Sequence, residues 1–82
     1  MAGQLLSKAE LNLIEDATIM RRWEARTRRA AGRALARYLA GRASVEPWVR
    51  AELRLSAARR ELWAVEARLL ATWRARPAEL EE

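Results

Sequence analysis

Five arginines in the first half of the chain are spaced by four, three, four and four residues: Arg22, Arg26, Arg29, Arg33 and Arg37. Residues three and four apart lie on the same side of an α-helix, so this spacing would align five guanidinium groups along one face. A guanidinium is planar and binds a carboxylate or a phosphate through two parallel hydrogen bonds. We call this set the arginine face, and the chemistry it could do is the binding of an acidic partner.

The positive charge of the chain is concentrated around this face. Residues 21–42 contain eight arginines and one acid, Glu24, whereas the whole 82-residue chain contains 16 basic and 11 acidic residues. A nucleic acid, an acidic protein surface and plain solvent could each face such a helix. No aromatic residue lies among these arginines on the same face, which argues against the stacking of single-stranded bases. We expect an acidic protein partner, and DNA or RNA phosphates are the alternative.

Two residue types that often carry catalysis are missing. The chain contains no cysteine and no histidine, so it lacks thiolate nucleophiles, the commonest general base and the usual ligands of zinc, haem and iron–sulfur clusters. Glu24 borders the apolar side of its helix, and a carboxylate there usually pairs with an arginine of a neighbouring helix, for which Arg60 is the candidate. We therefore expect a protein that is not an enzyme, has no catalytic residues and needs no metal or cofactor.

The helix that carries the arginine face has clear start and end signals. Ser7 and Glu10 have the spacing of a capping box, in which each side chain bonds the backbone N–H group of the other residue. Gly41 suits the left-handed conformation that commonly follows a helix end. These signals predict helix 1 from residue 8 to about residue 40. Gly32 within it could mark a close helix crossing, a mild kink or a break.

A second set of signals follows directly. Ser44 is a candidate N-cap, and Pro47 would fall in the first turn, where a missing N–H group costs little. Pro77 would stop the helix. The sequence therefore predicts helix 2 from about residue 45 to about residue 75, with flexible tails at residues 1–6 and 77–82.

The connection between the two helices is short, about residues 41–44, which forces them to be antiparallel neighbours. Apolar residues spaced by four and three predict coiled-coil packing between them. In helix 1 this seam comprises Leu13, Ala17, Met20, Glu24, Thr27, Ala31, Ala34 and Tyr38, and in helix 2 it comprises Ala51, Leu55, Ala58, Leu62, Val65, Leu69 and Thr72. The expected fold is a single all-α domain, residues 1–82, built as a long helical hairpin.

Helix 2 carries a second set of apolar residues away from its seam. We call Leu53, Ala57, Ala64, Ala67 and Ala71 the outer row; Trp63 and Leu70 lie beside it. A helix that is apolar on most sides needs neighbours on most sides, although alanine is also common on solvated helix faces. We expect two hairpins to form a homodimeric four-helix bundle. The predicted interface residues are Leu53, Ala57, Trp63, Ala64, Leu70 and Ala71.

The tryptophans give one further expectation about geometry. Trp23 and Trp63 are nearly equidistant from the predicted loop, so an antiparallel hairpin would place them at the same level, where they could form one aromatic patch. Trp63 is the best candidate for an interface anchor, since tryptophan is enriched among the residues that dominate binding energies.

Two segment types are absent from the sequence. No run of about 18 apolar residues occurs, so no transmembrane helix is expected, and the N-terminal residues do not resemble a signal peptide. We therefore expect the protein in the cytoplasm. The sequence predicts a small helical interaction, regulatory or assembly protein, such as an adaptor, that binds both a second copy of itself and an acidic partner.

Overall fold

The computed structural model of the chain describes residues 6–75, and these residues form two α-helices packed against each other as a hairpin. Helix α1 spans Lys8–Leu39 and helix α2 spans Glu46–Arg74. No strand occurs in this part of the chain. The predicted all-α helical hairpin is therefore confirmed, with each helix ending one residue earlier than expected.

The start of α1 is fixed by the predicted capping box. The Oγ atom of Ser7 accepts a hydrogen bond from the backbone N–H group of Glu10, and Oε1 of Glu10 accepts one from the N–H group of Ser7, both at 3.1 Å. Glu10 is buried, and its Oε2 atom accepts a bond from Nε1 of Trp73 at 2.9 Å. The cap therefore also joins the first turn of α1 to the last turn of α2.

The end of α1 has the left-handed glycine that the sequence predicts. Gly41 has φ +72°, a conformation that costs a residue with a Cβ atom about 1 kcal/mol or more. The N–H group of Gly41 donates to the carbonyl of Tyr38, and that of Arg42 donates to the carbonyl of Arg37. These two bonds satisfy carbonyls that would otherwise lack partners at the helix end.

The start of α2 differs from the prediction. The N-cap residue is Val45, not Ser44, and no side chain caps this helix. Val45 already has helical dihedral angles, and its carbonyl accepts a bond from the N–H group of Val49. Pro47 lies in the first turn as expected; because proline has no N–H group, one fewer donor needs a cap. The predicted stop at Pro77 and the predicted tails, apart from Leu6, lie outside the described residues.

Helix α1 is continuous through Gly32. A Cβ atom built at this position would meet no other atom within 4 Å. Neither a kink nor a close helix crossing therefore requires glycine here.

The core is a thin seam between the helices. Its buried apolar residues all belong to the two predicted seams: Ala17, Ala31, Ala51, Leu55, Ala58, Leu62, Val65 and Leu69. Four of these eight are alanines, which lets the helix backbones approach closely but buries little apolar area. Within residues 6–75, neither helix has a stretch both long and apolar enough to cross a membrane.

Candidate partner-binding surface

The arginine face lies on the side of α1 that points away from α2. Arg22, Arg26, Arg29 and Arg33 each follow a seam residue by two positions, a rotation of about 200° around the helix axis. All five arginines of the face, Arg37 included, are exposed. From Arg22 to Arg37 the row is about 22 Å long at 1.5 Å rise per residue. Five guanidinium groups therefore stand in one row on one surface.

Four of the nine other arginines within residues 6–75 have carboxylate partners. Four ion pairs occur among residues 6–75: Arg21 with Glu66 at 3.0 Å, Arg28 with Glu24 at 3.4 Å, Arg59 with Glu24 at 3.3 Å, and Arg50 with Glu46 at 3.3 Å. In the same part of the chain, no residue of the arginine face forms an ion pair or a side-chain hydrogen bond. Their guanidinium donors are directed to solvent.

The predicted pairing of Glu24 with Arg60 is wrong, and Arg59 takes that position. Arg59 is rotated about 100° from the buried Ala58 and so borders α1, whereas Arg60 is rotated about 200° and faces away from it. The Glu24 side chain is only 12% exposed and contacts arginines of both helices. Glu24 is therefore an interhelical ion-pair residue.

A shallow groove follows the first part of the arginine face. It is lined by Ile19, Arg22, Ala25, Arg26 and Arg29, and a second shallow groove further along the helix is lined by Arg33, Ala36 and Arg37. Ile19 is 55% exposed and places an apolar group among the cations. Our interpretation of the sequence did not include Ile19, although it lies three residues before Arg22 and so continues the same row.

The outer row of α2 is also directed away from the partner helix. Each of its residues follows a buried seam residue by two positions, as Leu53 follows Ala51 and Ala64 follows Leu62, so the row lies opposite the seam. Leu53 is 65% exposed and Trp63 is 61% exposed. Leu70, Ala64 and Ala71 are exposed as well, and Ala57 is half-buried. The predicted interface residues thus form an apolar surface that the hairpin itself leaves uncovered.

The predicted patch of Trp23 and Trp63 is not formed. Trp63 lies close along α2 to Arg59 and Glu66, on the side where these residues pair with α1. Trp23 follows Arg21 by two residues, so it is rotated about 200° and lies on the opposite side of the hairpin. In the described part of the chain the stacked pair is Tyr38 with Trp48, at the loop end, with ring centroids 6.3 Å apart.

No group of three or more acidic, cysteine or histidine side chains that could hold a metal ion occurs among residues 6–75. Comparisons of the chain with protein-family models, with curated proteins and with solved structures gave no match.

Proposed function

We propose that the protein acts by binding rather than by catalysis, and that the arginine face of α1 docks on an acidic surface of a partner protein. One observation carries the proposal. Five neighbouring guanidinium groups are exposed and have no carboxylate partner among residues 6–75. Arg21 and Arg59, by contrast, are paired with Glu66 and Glu24. Single exposed ion pairs stabilise little, but a row of like charges steers association and selects an oppositely charged surface.

The apolar part of the groove favours a protein partner over a nucleic acid. Ile19 and Ala25 lie beside Arg22 in the groove, and they could contact apolar side chains at a protein interface, whereas a phosphate backbone offers them no apolar group. An acidic helix with a few apolar residues matches this surface in both charge and spacing.

The proposal includes self-association through α2. Leu53 and Trp63 are each more than half exposed, and they lie beside a row of alanines that carries a single charge, at Arg60. Contiguous exposed apolar surface of this kind marks an interaction site in a small protein. A second copy of the chain is the proposed occupant, as in the four-helix assembly expected from the sequence.

Binding to a designed acidic helix tests the docking surface. The probe is a fluorescent 21-residue peptide. Its glutamates are spaced alternately by four and three residues, and one leucine lies on the same face. The test variant carries Arg26→Glu, Arg29→Glu and Arg33→Glu. The matched control carries Arg54→Glu, Arg68→Glu and Arg74→Glu on α2, which are also exposed and unpaired within residues 6–75 and change the net charge equally. Circular dichroism should show that both variants remain helical.

The proposal predicts that the test variant loses at least about tenfold in affinity, equivalent to about 1.4 kcal/mol, while the control changes by less than about twofold. Equal losses in both variants would mean that the peptide senses net charge alone, and the docking surface would be rejected.

A 21-base-pair DNA duplex, titrated across a salt series, tests the alternative. Binding to phosphates should weaken steeply as the salt concentration rises, because counterions are released on binding. We expect the duplex to bind less tightly than the peptide at physiological salt. If the duplex binds more tightly, and the arginine-face variant abolishes that binding, the partner is a nucleic acid.

A further inference from the structure

We infer that a groove along one side of the hairpin, between α1 and α2, receives an amphipathic α-helix of a partner protein as a third helix. We call it the side groove. The docked helix presents large apolar residues to one half of the groove and a carboxylate to its middle. The inference goes beyond the proposed function, because the side groove is separate from the arginine face and from the outer row.

The α2 wall of the side groove is a row of residues directly beside the seam. Trp63 follows the buried Leu62 by one position, and Leu70 follows the buried Leu69 by one, so each is rotated by about 100° from the seam. The outer row lies about 100° further on. The wall is spaced alternately by four and three residues and consists of Glu52, Ser56, Arg59, Trp63, Glu66, Leu70 and Trp73.

The α1 wall has the same alternating spacing. The ion pair of Arg21 with Glu66 joins one member of each wall and places both rows on the same side of the hairpin. A shallow cleft around this pair is lined by Arg21, Glu66, Leu69, Leu70 and Trp73. Two rows of this repeat beside a shared seam form the surface that a third helix of a coiled-coil bundle contacts. The α1 wall consists of Ile14, Thr18, Arg21, Ala25, Arg28, Gly32, Leu35 and Leu39.

One half of the side groove is apolar around a single neutral ion pair. Trp63, Leu70 and Trp73 are all exposed there. Ile14 lies one turn after Glu10, which bonds Trp73, so Ile14 is near the level of Leu70. From Trp63 to Trp73 this half is about 15 Å long, which is the length of nearly three turns of a docked helix. Large apolar residues spaced by four and three would cover it.

The middle of the side groove carries one excess positive charge. Glu24 pairs with Arg28 at 3.4 Å and with Arg59 at 3.3 Å, so two guanidinium groups share one carboxylate. Both arginine side chains remain partly exposed. A carboxylate of the docked helix would supply the second negative charge. Because Arg59 precedes Trp63 by one turn, this charge complementarity calls for a helix with an acidic residue about one turn beyond its apolar residues.

A second copy of the chain fits this groove less well than a partner helix does. Arg59 lies near the middle of α2, which spans Glu46–Arg74. Two copies paired through this side about a twofold axis, in either direction, would bring their excess charges to the same level. Like charges repel, whereas a partner helix with a carboxylate at this level is attracted.

Binding of a designed neutral helix tests the side groove. The probe is a fluorescent 22-residue peptide whose four leucines are spaced by four, three and four residues. One glutamate follows the last leucine by three residues, and one lysine on the opposite face keeps the net charge at zero. The test variant of the full chain carries Trp63→Gln and Leu70→Gln. The matched control carries Val49→Gln and Leu53→Gln, which also removes two exposed apolar residues of α2.

We expect the test variant to bind the peptide at least about tenfold more weakly than the wild type, while the control changes by less than about twofold. Circular dichroism should show equal helicity in all three proteins. A peptide in which the glutamate and the lysine exchange places should bind the wild type at least about fivefold more weakly. Absence of binding, equal losses in the two variants, or equal affinity for the two peptides would overturn the inference.

Two further measurements separate the side groove from the other surfaces. The variant with Arg26→Glu, Arg29→Glu and Arg33→Glu should bind the neutral peptide as the wild type does; a loss would place the peptide on the arginine face and overturn the inference. Sedimentation of the chain alone detects a second copy in the groove. Self-association that the test variant loses and the control keeps would also overturn the inference.

Discussion

Arg59 of α2 donates through Nε to Oε2 of Glu24 on α1 across 3.3 Å, although the two residues are 35 positions apart in the chain. The other carboxylate oxygen of Glu24 lies 3.4 Å from Arg28 of its own helix. One carboxylate, whose side chain is 12% exposed, thus pairs with two arginines at the helix interface. No carboxylate pairs with the arginine face in residues 6–75, and its five unpaired arginines differ from the unpaired arginines elsewhere in lying in one row on one helix.

Glu24→Gln should destabilise the hairpin by about 1 kcal/mol, since it removes both ion pairs from a carboxylate that is mostly shielded from water. Glu46→Gln is the control, because its pair with Arg50 is exposed on both sides and should contribute at most about 0.5 kcal/mol. Denaturant unfolding measures both variants. Equal effects would mean that the Glu24 pairs do not join the helices.

The two described glycines should respond in opposite ways to substitution by alanine. Gly32→Ala should stabilise α1 by about 1 kcal/mol, because alanine favours the helix interior and a Cβ atom meets nothing within 4 Å. Gly41→Ala should destabilise the chain by about 1 kcal/mol or more, because Gly41 has φ +72°, where a Cβ atom is strained. The melting temperature should rise in the first variant and fall in the second by about 4–8 °C per kcal/mol. If both melting temperatures shifted in the same direction, the result would contradict the left-handed conformation of Gly41 at the end of α1.

Leu62→Ala should destabilise the hairpin by about 2–5 kcal/mol, because Leu62 is a buried seam residue and truncation leaves a cavity. In a chain with so thin a core, this loss should abolish most of the helical signal at room temperature. Leu39→Ala makes the same truncation at a position that is 72% exposed and should change stability by less than about 0.5 kcal/mol. Far-ultraviolet circular dichroism separates the two cases, and retained helicity in Leu62→Ala would contradict the assigned seam.

Arg60→Leu should tighten the proposed dimer by about tenfold, because an unpaired cation is costly to bury and leucine adds apolar contact. Arg54→Leu removes the same charge from the side of the hairpin and should change the dimer dissociation constant by less than about twofold, since this position is rotated about 100° from Leu53 of the outer row. Sedimentation equilibrium over a concentration series measures both. A larger gain from Arg54→Leu would place the interface on the side of the hairpin.

Local patterns in the sequence predict most of the fold. The capping box at Ser7 and the glycine at position 41 depend on interactions within a few residues, so both can be recognised without a structure. The seam of α2 follows from its spacing. Ser44 is not the N-cap, because α2 begins one residue later and Val45 takes that position without a side-chain bond; the sequence pattern does not determine which of the two residues begins the helix.

Relationships between the helices were harder to predict. A shift of one residue rotates a side chain by about 100°, so the choice of Arg59 over Arg60 for Glu24 depends on how α2 is rotated against α1. Trp23 and Trp63 occur at similar levels, but the side on which each lies depends on that same rotation. The arginine face required no such information, because its spacing alone defines one side of one helix.

The most direct test of the account follows the guanidinium Nε–Hε signals of the chain by nuclear magnetic resonance while the acidic 21-residue peptide is added. The account predicts that the signals of Arg22, Arg26, Arg29, Arg33 and Arg37 shift together and saturate at one peptide per chain, while those of the paired Arg21 and Arg59 stay in place. Shifts centred on the exposed arginines of α2, or equal small shifts at all arginines, would contradict the claim that the arginine face of α1 is the docking surface.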